Sequence, residues 1–167
     1  MDSFVKTFLQ ESPENLEKKY KSIAAIALIG TIAAWLALPA YLIAGYITGA
    51  AQFQALVYNN LALAIGLTIS YILARLKVKL VSFWLTAILV EVTFTIVNLY
   101  VAGLGVILAV IMLAIVINIA IQGLSERPAL AMAGTALIAA LACIVIDVFS
   151  LAQGRIDAPF WLQQVVL

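Results

Sequence analysis

Histidine is absent from the 167-residue chain, cysteine occurs once, and only 10% of the residues are charged. Without histidine, the chain lacks the commonest metal ligand, the usual axial ligand of haem and the general base of Ser/His/Asp and Cys/His catalytic sets. The lone Cys143 cannot form an internal disulfide, and its apolar surroundings indicate a small core side chain. We therefore expect no enzymatic activity within this chain and no metal or other cofactor.

The scarcity of charge also excludes an ordinary soluble domain, in which about 25% of the residues are charged and 45–50% are apolar. Here 66% are apolar, a composition typical of an integral membrane protein. The net charge of +1 gives no reason to expect nucleic acid as a partner. The expected partner is the lipid bilayer.

Apolar runs separated by Gly, Pro and charged residues dominate what is present. At ~1.5 Å per helical residue, each run can cover the ~30 Å hydrocarbon layer of a membrane. The fifth run is rich in Ala and Gly, which predicts a helix packed at the centre of the bundle. The fold class that we predict is an all-α, polytopic helical membrane bundle of five transmembrane helices. The five runs are Ser22–Tyr46, Ala55–Ala74, Leu80–Val101, Val106–Gln122 and Ala129–Leu151.

Two further segments flank these spans. Asp2–Gln10 places its apolar side chains on one helical face, which predicts an N-terminal interfacial helix. Phe160–Leu167 is apolar but too short to span, and we expect it to be the truncated start of a sixth segment. The predicted organisation is an interfacial, cytoplasmic segment over 1–21, a transmembrane domain over 22–151, and an extracytoplasmic loop with an incomplete helix over 152–167.

The basic residues predict the orientation. Of the nine Lys and Arg residues, all but Arg155 lie in the N-terminal tail, in the 75–79 loop or in the 126–127 loop. Since cytoplasmic loops carry an excess of Lys and Arg, these three regions are expected on the cytoplasmic side. We expect a multi-pass membrane protein with its N-terminus in the cytoplasm.

Polar residues within the third span are the candidate site. Glu91, Thr95 and Asn98 recur at i, i+4 and i+7, which places them in one stripe on a helix. One interpretation is a ligand pocket or proton path, and the other is a protonated Glu91 that hydrogen-bonds across the bundle and fixes helix register. Asp147, near the end of the fifth span, is expected to reach the membrane interface without special partners.

Several sequence features resemble a known class of membrane module. They are ARLKVKL after the second span, the AGLG turn, the SERPAL loop, and the ending IDVFSLAQGRIDAPFWLQ. This pattern resembles the N-terminal membrane module of bacterial multidomain sensor proteins, which precedes HAMP, GAF, histidine-kinase or cyclase domains. The resemblance implies a non-catalytic sensing and anchoring module in the bacterial cytoplasmic membrane, which senses a signal at or in the membrane. We hypothesise that a small apolar or amphipathic ligand, or the state of the bilayer itself, shifts helix packing around Glu91 and the alanine-rich fifth helix.

Two other interpretations stay open. A small transporter or substrate-capture subunit would need convergent polar groups in a closed pocket, whereas a structural subunit of a larger membrane complex would have its apolar faces covered by partner helices. A homodimer is a further alternative, because Gly45 and Gly49 form a GxxxG spacing. That spacing lies at a helix end, where a tight turn around Gly49 is the preferred interpretation.

Overall fold

A computed structural model of the chain describes residues 13–149, 151–152 and 155–157. Its elements are α1 (Pro13–Thr48), α2 (Ala51–Arg75), α3 (Lys79–Tyr100), β1 (Val101–Ala102), α4 (Gly105–Gly123), α5 (Glu126–Val148) and β2 (Ile156–Asp157). The predicted interfacial helix at residues 2–10 and the sixth apolar segment at 160–167 lie outside the described residues.

All five helices in the described part of the chain are long and apolar enough to cross a membrane, which confirms the predicted all-α fold and its five spans. Helix α1 continues without interruption through Pro39. The outward faces are apolar, and side chains such as Leu36, Ile121 and Ile138 are 73%, 73% and 71% exposed. Apolar surface of this extent would be unstable in water, whereas lipid tails solvate it.

Helix α3 is the centre of the bundle, since it contacts each of the other four helices. The prediction that the fifth helix is central was wrong, because α5 packs mainly against α4 and α3. Its small residues allow close approach on one side only: Ala136 and Ala140 are buried, whereas Gly134 faces open space. Residue size permits close packing but does not set the number of neighbouring helices.

A cluster of buried hydroxyl groups joins α2 to α3. Ser70 Oγ lies 2.9 Å from the carbonyl oxygen of Ser82 and 2.6 Å from Thr86 Oγ1, while Ser82 Oγ donates to the Ser70 carbonyl at 3.0 Å. All three side chains are at most 1% exposed. Interhelical hydrogen bonds of this kind contribute roughly 0.6–2 kcal/mol each within a bilayer. The cluster therefore fixes the register of α2 against α3.

Left-handed backbone conformations end two of the helices. Gly49 has φ 65° and its amide bonds to the Gly45 carbonyl at 2.9 Å, which agrees with the predicted turn. At the end of α2 the left-handed residue is Lys77, with φ 62°. Val78 N donates to Leu73 O at 2.9 Å and Lys77 N donates to Ala74 O at 3.1 Å, the two bonds of a Schellman cap. Glycine is the favoured residue at this position, and a side chain there costs roughly 1–2 kcal/mol.

Candidate functional site

The three residues of the predicted polar stripe lie on the side of α3 that meets α5. Glu91 bonds to Thr135, and Asn98 donates its amide Nδ2 to the Cys143 carbonyl at 2.7 Å. Thr95 lies between them, with its Oγ1 3.9 Å from Cys143 Sγ. The stripe therefore contacts a neighbouring helix along its length, as expected for polar groups within a membrane.

The hydrogen bonds around Glu91 fit a protonated carboxyl group. Thr135 Oγ1 lies 3.0 Å from Glu91 Oε1 and 2.9 Å from the Met132 carbonyl oxygen. A threonine hydroxyl has a single proton, so it can donate to only one of these two acceptors. If Thr135 donates to the carbonyl within its own helix, a neutral Glu91 can donate to the hydroxyl oxygen. Both contacts of the Thr135 hydroxyl then have one donor and one acceptor.

A shallow recess of about 250 Å³ lies beside this pair, lined by Glu91, Val92, Thr95, Ile96 and Ala139. Asn98, which is fully buried, does not line it. The recess is smaller than the ~300–1,000 Å³ of typical small-molecule sites, and it has few polar groups. The geometry thus favours the interpretation of Glu91 as an interhelical hydrogen-bonding group.

We expect Glu91→Gln to change the free energy of unfolding by less than about 1 kcal/mol, because the glutamine amide can donate to Thr135 as a protonated carboxyl does. Reversible unfolding in mixed micelles measures this change. Glu91→Leu is the matched variant, since it keeps the side-chain size and removes the hydrogen bond. A large loss of stability in the glutamine variant, equal to that of the leucine variant, would contradict the role of a protonated Glu91 as an interhelical hydrogen-bonding group.

Sequence reasoning missed a second polar cluster, at the end of the bundle opposite the basic loops. Arg155 Nη2 donates to Asp147 Oδ1 at 2.7 Å, to Asn98 Oδ1 at 3.1 Å and to the Val101 carbonyl at 2.8 Å. The side chains of Arg155 and Asp147 are only 6% and 16% exposed. The expectation that Asp147 has no special partners was therefore wrong.

The Asp147 carboxylate also organises the turn between α3 and α4. Its Oδ1 accepts the Gly103 amide and its Oδ2 accepts the Gly105 amide, each at 2.9 Å. Beside it, β1 and β2 pair in parallel, with Val101 opposite Ile156. The segment after α5 is thus attached to the α3–α4 turn by an ion pair, side-chain hydrogen bonds and a short ladder. Deletion of Arg155 or Asp147 would leave a buried charge without its partner.

An apolar cavity in the transmembrane region lies between α1, α2, α3 and α4. This cavity has a volume of about 480 Å³. Its polar side chains are Asn60 and Thr86, and both already donate to backbone carbonyls, those of Ala34 at 2.6 Å and Ser82 at 2.9 Å. The apolar lining includes Ile29, Ala33, Leu67, Val90, Phe94 and Ile115.

The cavity reaches the surface that faces lipid, because two of its lining residues, Ile29 and Ala33, are exposed. Towards the basic end of the bundle, a hydrogen bond from Ser22 Oγ to Gln122 Oε1 joins α1 to α4. The volume lies within the ~300–1,000 Å³ of small-molecule sites. With its polar groups already bonded, the cavity suits an apolar chain better than a polar solute.

No family model, curated protein or solved structure matches the chain. Among the described residues, no group of three or more Cys, Asp or Glu side chains could hold a metal ion.

Proposed function

We propose that the chain is the membrane-embedded sensing and anchoring module of a bacterial signal-transduction protein. Its input is an apolar chain, such as the acyl chain of a lipid or fatty acid, that enters the cavity between α1 and α4. The observation that carries this proposal is the apolar cavity itself, at mid-depth in the bundle and open towards lipid.

Helix α1 is the element that such a ligand would move. It packs along α2, while its contacts with α3 and α4 are few. A chain that enters between α1 and α4 would separate them and disturb the Ser22–Gln122 hydrogen bond at the basic end. A ligand shifts such an equilibrium only by the difference in its affinity for the two arrangements. The proposal therefore requires that the separated arrangement bind the apolar chain more tightly.

The same cavity argues against the transport alternative. A transporter of a polar solute needs convergent polar groups near the midplane. Here the only polar side chains among the cavity-lining residues are Asn60 and Thr86, and each already donates to a backbone carbonyl, which is too few polar groups for a polar solute. A structural role would instead require partner helices across the exposed faces.

The orientation is part of the proposal. The N-terminal end of α1, the α2–α3 turn and the α4–α5 turn meet at one end of the bundle, as the Tyr20–Lys77 and Ser22–Gln122 contacts indicate. We assign this basic end to the cytoplasm because positively charged loops are retained there. The Arg155–Asp147 cluster then lies on the outer side of the bacterial membrane.

Photocrosslinking tests whether the cavity takes an apolar chain. The probe is palmitic acid with a diazirine at mid-chain, and mass spectrometry locates the modified residues. We expect crosslinks to α1, α3 and α4 around Ala33, Phe94 and Ile115. Ala33→Phe should remove most of this labelling by filling the cavity, whereas Ala25→Phe, an exposed position of the same helix outside the lining, should keep it.

Sensing requires that binding also move α1. Spin labels at Leu28 and Ile121, in a Cys143→Ala background, report the separation of α1 and α4. We expect the distance distribution to shift when palmitic acid is added and to remain constant in the Ala33→Phe variant. Crosslinking without a distance change would mean that the cavity holds a structural lipid, and the sensing role would be wrong.

A further inference from the structure

We propose that a groove at the basic end of the bundle binds the phosphate of an anionic phospholipid headgroup. The groove lies between residues 17–24 of α1 and the α2–α3 turn, and its volume is about 530 Å³. This site is separate from the apolar cavity, and it does not depend on the sensing role.

The charge of the groove favours an anion. Its rim carries three cations, Lys21, Arg75 and Lys77, and one carboxylate, Glu17. The carboxylate is paired with Lys21 at 2.8 Å, an exposed contact in which both side chains remain accessible. Two positive charges are therefore in excess. Cations that line a recess beside transmembrane helices form the type of pocket that binds lipid phosphates.

The shape of the groove suits a headgroup at the membrane surface. Its floor is made by the small buried residues Ala24 and Ala74, which leave room between the helices. Arg75 ends the α2 span, so the rim lies where the hydrocarbon layer gives way to the polar region. A phospholipid could therefore place its phosphate against the rim while its chains run beside α1 and α2.

The α2–α3 turn is held in position before any ligand arrives. Tyr20 Oη donates to the Lys77 carbonyl at 2.7 Å, which ties the turn to α1, and the Schellman bonds fix the backbone around it. A rigid rim loses little entropy when it binds.

The backbone conformation of Lys77 supports the proposed site independently of the charge of the groove. Lys77 occupies a left-handed position where glycine would relieve strain, and its side chain lines the groove. The need for basic residues in cytoplasmic loops does not explain this, because a charge at a neighbouring unstrained position would orient the chain equally well. Strain retained at one residue points to a role for its side chain.

The test compares phosphatidylcholine vesicles with vesicles that contain one-fifth phosphatidylglycerol. We expect phosphatidylglycerol to raise the melting temperature of the wild-type protein and to co-purify with it in native mass spectrometry. The double variant Arg75→Gln/Lys77→Gly should bind phosphatidylglycerol about 30-fold more weakly, given the contribution of each basic residue near an anionic surface. Lys77→Gly alone should be more stable than wild type in phosphatidylcholine and yet gain less from phosphatidylglycerol.

Arg127→Gln is the matched control, because Arg127 is an exposed cation at the same end of the bundle but outside the groove. Phosphatidylglycerol should raise the melting temperature of this variant as much as that of the wild-type protein. If this control loses phosphatidylglycerol binding as much as the groove variant does, the lipid is attracted by the basic surface as a whole, and the proposal is overturned. Inorganic phosphate, added to the detergent-solubilised protein, should have no effect at millimolar concentration. An equal stabilisation by free phosphate would show a soluble ligand and overturn the lipid assignment.

Discussion

Replacement of Asp147 by alanine is expected to lower the free energy of unfolding by about 3–5 kcal/mol, the usual result of removing one partner of a buried ion pair. The variant leaves the Arg155 guanidinium, 6% exposed, without its carboxylate. It also removes the acceptor for the Gly103 and Gly105 amides. Reversible unfolding in mixed micelles, followed by helical circular dichroism, measures the loss.

Two further variants show whether the effect belongs to the pair. Asp157→Ala removes an exposed carboxylate from β2 at the same end of the protein, and its effect should stay within about 0.5 kcal/mol. The double variant Asp147→Ala/Arg155→Ala should lose less stability than the sum of the single variants, because it leaves no unpaired charge. Strict additivity would show that the two side chains do not depend on each other.

The parts of this fold that could be predicted from sequence are those that the lipid bilayer imposes. A bilayer demands long apolar helices with every backbone group satisfied within the segment, so the five spans follow from the lengths of the apolar runs. The turns were also predictable where a special residue marks them, as at Gly49. The predicted spans and the observed helices differ at their ends by a few residues, and α1 is longer at its N-terminus because the helix begins at Pro13, ahead of the membrane span predicted from Ser22.

The Arg155–Asp147 cluster could not be predicted in the same way. It depends on the chain reversing after α5 and on a parallel ladder of only two residues per strand, too short to give a periodic pattern. In the sequence, only the charges of Arg155 and Asp147 indicate that these two residues pair. Arg155 is the one basic residue on its side of the predicted topology, and Asp147 is an acidic residue within reach of it. An isolated charge near the end of a span indicates that an oppositely charged partner lies close to it in the fold.

Helical periodicity predicted that Glu91, Thr95 and Asn98 share a face, and the structure places all three towards α5. Periodicity could not predict what each residue meets there. Glu91 faces a hydroxyl, whereas Asn98 joins the Arg155 cluster two turns away. The partner that each residue meets depends on the position of neighbouring helices along their axes. Packing contacts between helices, such as that of Ser70 with Thr86, set this position, and the sequence of a single span does not.

Gly105→Ala is the second substitution for which we expect a large loss of stability, about 3 kcal/mol. A Cβ at this position would lie 2.5 Å from Asp147 Cβ and 2.7 Å from the Cys143 carbonyl oxygen. Neither neighbour is the flexible end of a side chain, so the start of α4 would have to move away from α5. That movement stretches the bond from the Gly105 amide to Asp147. Overpacking of about 1–3 kcal/mol and the weakened hydrogen bond together exceed the helix propensity gained from alanine, about 1 kcal/mol.

Gly134→Ala is the matched control, because a Cβ there meets nothing within 4 Å. This variant should gain up to about 1 kcal/mol, since alanine is the better helix former. The two glycine variants are thus expected to change stability in opposite directions, as measured by the same unfolding assay. In the Asp147→Ala background, Gly105→Ala should cost less, because the hydrogen bond from the Gly105 amide is already lost. An unchanged penalty in that background would show that the steric clash with α5 alone causes the loss of stability.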